Sequence, residues 1–298
     1  DLHSFPTRRS SDLPTGKENY IINPDSMEPG PYEEDDFTWD AADPNKVTGM
    51  TTKGMGKLAA NKRILRLPDK ATSVGDNAFF RTGILEVSGA NIEHVGKYSF
   101  DSNPLASVRF PKLAVADEYA FSNNASGSSS RLESFDFSNL TTVGRYVFYN
   151  FGYVGELNIP KLVTAEYGSF SNNQITKVKA PELINVKYGA FANNKIQSLL
   201  AEDLPKIEVL EGSTFSNNIL SKIDLPSLKK VNGSMEFSNT AKTYPQMLTW
   251  VVPPGLTVQS PNSLGSSIFN YKYREAKEGG TSNGNLVPGR IVFTKEPK

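Results

Sequence analysis

The chain of 298 residues contains no cysteine. That excludes disulfides, thiolate zinc centres and cysteine nucleophiles together, and it leaves the redox compartment open. Histidine is nearly absent, with only His3 and His94, so a hydrolytic dyad or triad lacks its usual base. His94, alone on a short link between Ile92 and Val95, reads as a surface residue. No apolar run approaches the roughly 18 residues that a membrane helix needs. Net charge is missing as well, because 32 basic residues balance 32 acidic ones, so there is no electrostatic footprint for nucleic acid or an anionic membrane. The balance is uneven along the chain: residues 14–60 hold nine acids against four lysines, and residues 241–298 hold seven bases against three acids. Both read as solvated ends, as does the acidic run Glu33-Glu34-Asp35-Asp36. No P-loop and no G-x-G-x-x-G motif occurs.

What the chain does have is a phrase that returns about every 21–24 residues, with one phenylalanine per copy: Phe79, Phe100, Phe121, Phe148, Phe170, Phe191, Phe215 and Phe237. The gaps are 21, 21, 27, 22, 21, 24 and 22 residues. A fixed period in this range is the signature of a solenoid, in which each unit buries its apolar face only by stacking on its neighbours. The 27-residue gap contains the insertion Ala125-Ser-Gly-Ser-Ser-Ser130, expected to bulge from one rim, and the 24-residue gap is stretched near Glu202 to Pro205.

The copy spanning 175–194 shows how one unit folds. Val178-x-Ala180 alternates with period 2, which predicts a short strand with one buried face. Pro181 ends it, since proline cannot donate to a continuing ladder. Leu183 and Val186 return to the core, and Tyr188-Gly-Ala-Phe191 is too short for a regular helix, predicting a single helical or 3-10 turn that buries Phe191. Asn103, Asn124, Asn173, Asn194, Asn218 and Asn239 each precede the next strand. They predict an asparagine ladder, with side-chain amides satisfying the backbone of neighbouring coils, rather than a calcium site, because no aspartates recur at matching spacing.

These residues carry a resemblance. The unit resembles the BspA-type leucine-rich repeat of bacterial surface proteins, whose pattern is close to L-x-x-I-x-L-P-x-x-[VL]-x-x-I-G-x-x-A-F-x-x-[NC]. Leu65-Arg-Leu-Pro leading to Val74-Gly-Asp-Asn-Ala-Phe79, and Val154-Gly-Glu-Leu-Asn-Ile-Pro160 leading to Phe170, carry it plainly. It covers residues 62–240. Ala165-Glu166, Val186-Lys187 and Leu210-Glu211 replace the usual Ile/Val-Gly pair, so the turn is expected to differ there. The expected fold is a leucine-rich-repeat solenoid of about eight coils, one short strand plus one short helical or 3-10 turn per coil, with irregular caps.

The expected organisation follows. Residues 1–13 resemble the translation of a common sequencing adapter, so the natural N-terminus and any signal peptide are expected to be missing. Residues 14–35 read as a linker, 36–61 as an N-terminal cap similar to the lead-in of such arrays in Gram-positive surface proteins, and 241–298 as an irregular C-terminal cap or tail. Within that tail Leu248–Val252 reads as a last strand and Gly289–Thr294 as an edge strand.

Two rows of side chains are candidates for partner binding. The first is the outward strand row Arg109, Asp136, Asn158, Lys179 and Asp224, joined by Glu86, Ser107, Ser134, Glu156, Lys177, Ser198 and Lys222. At about 4.8 Å per strand, a sheet of eight would run roughly 40 Å. The second is the tyrosine row Tyr98, Tyr119, Tyr146, Tyr167 and Tyr188. It is either an exposed adhesive stripe or a set of rings packed between turns with only the hydroxyls in water. The rival enzyme reading is a parallel β-helix polysaccharide lyase or hydrolase. Its carboxylates should converge from adjacent coils, but in the outward row Ser88, Arg109, Asp136, Asn158, Lys179, Leu200, Asp224 no two acids are adjacent. The resemblance implies a monomeric, non-catalytic surface or secreted protein without cofactor or metal. It would bind a protein or glycan on a host or neighbouring cell; from the balanced charge and the lack of a long apolar run, no nucleic-acid partner and no membrane insertion by these residues are expected. A stalk for a further domain is the third reading.

Overall fold

A computed structural model describes residues 30–123, 132, 135–232 and 247–258, with backbone alone at 247–248 and 258, and also alone at 273–275, 281–282, 285–286 and 289–295. The adapter-like segment, residues 14–29, the 125–130 insertion, Phe237, Asn124, Ser134 and Asn239 lie outside the described residues.

The chain coils into a parallel β-solenoid in which three backbone rows run along the stack. The first row holds the strands that precede the prolines: Ile64–Arg66, Glu86–Ser88, Ser107–Arg109, Val154–Asn158, Gln174–Lys179, Ser198–Leu199, Lys222–Asp224 and Met247–Val252. The second holds the two-residue strands at the Val-Gly position, from Ser73–Val74 through His94–Val95, Val115–Ala116 and Thr142–Val143, then Thr164–Ala165 to Thr257–Val258. Every pairing within the two rows is parallel, and the second row divides into two sheets between Thr142–Val143 and Thr164–Ala165. The third row is the phenylalanine turn.

That turn is a single turn with 3-10-type bonds rather than a helix. The amides of Ser99 and Asp101 donate back three residues, to Gly96 and Tyr98. The alternate amides, of Tyr98, Phe100 and Ser102, donate across to the Glu118, Ala120 and Ser122 carbonyls of the next coil at 3.1, 2.8 and 2.9 Å. The same triple of bonds joins every successive coil from Phe100 to Phe215. The geometry requires left-handed backbone two residues before most anchors, at φ 54, 56 and 53 for Tyr98, Tyr119 and Tyr146. In the two following coils Gly168 and Gly189 take that position and the tyrosine moves one residue earlier, and in the Leu210-Glu211 coil Ser213 holds it at φ 52, so the turn keeps its left-handed residue in all three coils that lack the Ile/Val-Gly pair, against the expected difference. A Cβ on Gly168 would lie 2.3 Å from Cε1 of Tyr146, so the glycine also makes room for the ring above it.

Inside the turns the anchors form an unbroken stack. Ring centroids from Phe79 to Phe215 are spaced 5.2, 5.5, 5.5, 5.4, 5.4 and 5.3 Å, and each of the seven rings is buried. Leucine, isoleucine and valine from the first two rows complete one continuous core. The asparagine ladder lies beside it. Asn194 donates to the carbonyls of Phe170 and Phe191 (3.0 and 3.1 Å) and accepts from the Ile175 amide (3.1 Å). Asn103, Asn173 and Asn218 repeat the arrangement. Each buried amide thus ties two turns to the start of a strand, so neither the turn carbonyls nor the strand N–H is orphaned.

The first coil is covered by a 3-10 turn (Glu34–Asp36), the antiparallel strands Phe37–Trp39 and Lys46–Met50, and an α-helix (Thr52–Ala60). Thr51 caps the helix by accepting from the Gly54 amide at 3.2 Å. Lys46–Met50 pairs in parallel with Ser73–Val74 and becomes the first rung. Asp36, with 0% of its surface exposed, receives the Lys57 ammonium at 2.7 Å. Burial pushes its pKa up, but Lys57, the Glu33 N–H and Lys53 outweigh that and hold it below the usual carboxylate range. At the other end Met247–Val252 pairs in parallel with Lys222–Asp224 and antiparallel with Gly289–Lys295, which is flanked in turn by Tyr273–Glu275. The segment read as an edge strand is therefore interior, and Tyr273–Glu275 forms the edge.

Candidate functional site

The outward strand row is not one sheet. It divides into a three-stranded sheet (64–109), a two-stranded sheet (154–179) and a third sheet beginning at Ser198. The breaks fall inside the two long repeats, of 27 and 24 residues. The 125–130 insertion precedes the first break in sequence, and at the second the coils stay joined by the Lys195, Gln197 and Ala180 amides, which donate to the Ile175, Thr176 and Asp203 carbonyls, without a continuous strand ladder. The expected continuous face of about 40 Å is therefore corrected to three shorter faces.

The five row residues are distributed over these pieces. Arg109 ends the first sheet, paired in register with Ser88 and exposed. Asp136 is exposed and lies outside the strands: its carboxylate accepts from the Ser138 amide at 2.8 Å, and the pairing nearby among the described residues is an isolated bridge from Leu132 to Tyr153. Asn158 and Lys179 face each other in the second sheet. Asp224 lies opposite Val251 in the third. Leu200, at the second break, is not in a strand.

Charge is also arranged differently along the row. On the second sheet Lys179 pairs with Glu156 (2.6 Å) and Lys177 with Asp203 (2.9 Å); off the row, Lys206 pairs with Glu182 (2.6 Å), Lys187 with Glu211 (2.7 Å) and Lys229 with Glu208 (2.6 Å), while Lys222 and Asp224 form no ion pair among the described residues. Hydrogen bonding to Lys179 lowers the Glu156 pKa, and bonding to Asp203 raises that of Lys177. In the first sheet Arg66, Glu86 and Arg109 are exposed and form no ion pair among the described residues. Composition could not reveal this division, although the pairs recur at separations close to the repeat.

The tyrosine row is a ladder of stacked rings on the turn face. Tyr98–Tyr119, Tyr119–Tyr146 and Tyr167–Tyr188 have centroids 5.0, 5.2 and 5.2 Å apart and planes within 22° of parallel. The step from Tyr146 to Tyr167 is looser, at 6.4 Å and 58°, where Arg145 lies over Tyr167 at 4.9 Å. Four rings are half-buried, and Tyr188 is 48% exposed. Burial, together with the neighbouring Tyr146, Tyr98 and Glu118, raises the Tyr119 phenol pKa. The ladder therefore packs between turns and yet keeps its outer edges in water.

His94 is not an isolated surface residue. Its Nε2 lies 2.8 Å from Oδ2 of Asp117 on the next coil, and it meets no hydroxyl among the described residues. No helix among the described residues is long and apolar enough to cross a membrane.

Stacked coils of this pitch, with a buried phenylalanine at each turn and a buried asparagine beside it at Asn103, Asn173, Asn194 and Asn218, define a leucine-rich-repeat solenoid. The chain belongs to the BspA type leucine rich repeat family, whose model matches residues 59–173 and 125–244 with six copies. Among solved structures it is similar to a leucine rich cell surface protein from Faecalibacterium prausnitzii A2-165, at 12% identity and a TM-score of 0.36 over 69% of this chain and 55% of that one. The chain thus spans just over half the length of that protein. No curated protein matches it.

Proposed function

We propose that this chain is a non-catalytic binding protein of the bacterial surface or its surroundings, using its strand face to hold a protein or glycan on a host or neighbouring cell. Family membership favours repeat-based binding. The observation that carries the choice of face is the contrast in charge. Lys179 and Lys177 of the second sheet are committed to Glu156 and Asp203, whereas Arg66, Glu86 and Arg109 project from the first sheet without ion-pair partners among the described residues. Arg109 and Asp136 supply charge to the partner, Asn158 supplies an amide, and Lys179 and Asp224 extend the face. Mixed charge of this kind sets specificity and register more than raw affinity, and many copies on one surface supply strength.

The test is capture of a ligand from host matrix or mucus extract, followed by the triple variant Arg109→Glu, Asp136→Lys, Lys179→Glu, checked for folding by circular dichroism. Loss of capture is expected. Undiminished capture moves the site to the turn face, and turnover of a uronate polymer by the wild type overturns the non-catalytic reading.

A further inference from the structure

The tyrosine column is kept in place by two different backbone solutions. Tyr98, Tyr119 and Tyr146 hold it from a left-handed conformation that bulky side chains rarely adopt. Tyr167 and Tyr188 hold it from one residue earlier, with Gly168 and Gly189 taking the left-handed position. The result is pairs of phenols from adjacent coils, nearly parallel, about one coil apart and partly open to water. The chain has no cysteine with which to link coils covalently.

We propose that this ladder is a site of oxidative phenol coupling, at which a peroxide-driven peroxidase, or another one-electron oxidant, joins tyrosines of neighbouring coils into dityrosine. Each of two phenols gives up one electron and one proton, leaving two phenoxyl radicals. A carbon–carbon bond forms between ring positions ortho to the oxygens, and the displaced ring hydrogens return to the oxygens to restore two phenols. One peroxide is reduced to two waters, and the protein loses two hydrogen atoms per link.

The geometry ranks the links. Tyr98–Tyr119, Tyr119–Tyr146 and Tyr167–Tyr188 are the favoured pairs, and Tyr146–Tyr167, longer and tilted, is the poorest. Because Tyr119 is shared, one ladder holds one link at its start and one at its end. Tyr32 and Tyr153 are internal controls: their hydroxyls donate to the Ile64 and Glu156 carbonyls, and their ring neighbours are Phe37 and Phe137. This inference is independent of which face binds a partner.

The test treats dilute folded protein with hydrogen peroxide and a peroxidase, then reads dityrosine fluorescence, intact mass and cross-linked peptides. The expected product is a monomer lighter by two or four hydrogens, linked at Tyr98–Tyr119 or Tyr119–Tyr146 and at Tyr167–Tyr188, with a raised unfolding midpoint. Tyr119→Phe, which keeps the ring, should leave Tyr167–Tyr188 as the main link, since Tyr146 then meets only the edge-on Tyr149 at 5.8 Å and the tilted Tyr167 at 6.4 Å, and Tyr119→Phe with Tyr188→Phe should abolish most of the intramolecular fluorescence. Absence of dityrosine, links that form only between molecules, or equal coupling at Tyr32 and Tyr153 would overturn the proposal.

Discussion

The turn face and the strand face are built from the same repeats and stack along the same axis, but they tolerate length differently. Through the phenylalanine turns the hydrogen bonds and ring stack run unbroken from Phe79 to Phe215. The strand row breaks twice, once in each long repeat. Extra residues enter outside the turn: the 125–130 insertion follows the Phe121 turn in sequence, and the stretch at 202–205 follows the strand Ser198–Leu199. The turn has no slack because three inter-coil hydrogen bonds, a buried ring and a buried asparagine all fix its length at once. The strand row has one short pairing per coil and an open outer side, so it can yield. Register in this array is therefore set by the turn, and variation is carried by the strand face.

The sharpest way to break this comparison is to mutate one residue on each side of it. Phe170→Ala removes a ring stacked at 5.4 Å on both Phe148 and Phe191 and should cost about 3–5 kcal/mol in urea unfolding. Lys179→Ala removes one partner of an exposed pair, and such pairs contribute little, so its midpoint should stay near that of the wild type. Comparable small losses in both would mean that the turn does not dominate.

Next in size is the cap. Asp36→Asn leaves Lys57 facing a neutral group in a buried site and should cost about 3 kcal/mol at neutral pH. The sign with pH follows from the shift. Asp36 is held below the ordinary carboxylate range in the folded state, so its contribution is complete above that range and is lost as pH falls through the depressed folded value. Acid unfolding of the wild type should therefore begin at the N-terminal end, and Asp36→Asn should flatten that part of the pH profile.

Asn194→Ala tests the ladder between the two faces. It strands the Ile175 amide and weakens two turn carbonyls, for a loss of about 1–3 kcal/mol. Gly168→Ala is smaller, about 1–2 kcal/mol for a left-handed non-glycine residue, but it should also disturb the Tyr146 ring beside it, read as a change in near-ultraviolet circular dichroism.

Much of the turn was legible in the sequence because its chemistry repeats. One phenylalanine per copy, followed three residues later by asparagine in most copies, describes stacked equivalents, and among the described residues seven phenylalanines and Asn103, Asn173, Asn194 and Asn218 stack so. The strand face was less legible. Asp136 matched the outward position by counting, yet its coil carries an insertion and no strand forms there. The warning was the 27-residue gap itself. The pairs Lys179–Glu156 and Lys177–Asp203 depend on which coil position faces which, and that is known only once register is fixed. The left-handed tyrosines left no local signal, since tyrosine disfavours positive φ and only the stacked geometry holds it there.

The central claim, that the turn sets register, is tested most directly by native-state hydrogen exchange resolved to single amides. The amides of Phe100, Phe121, Phe148, Phe170 and Phe191, all bonded between coils, should exchange only through global unfolding and be the slowest in the array. Those of Asp136 and Leu200, at the two breaks, should exchange far faster. Turn amides that exchange as fast as those at the breaks would contradict the account.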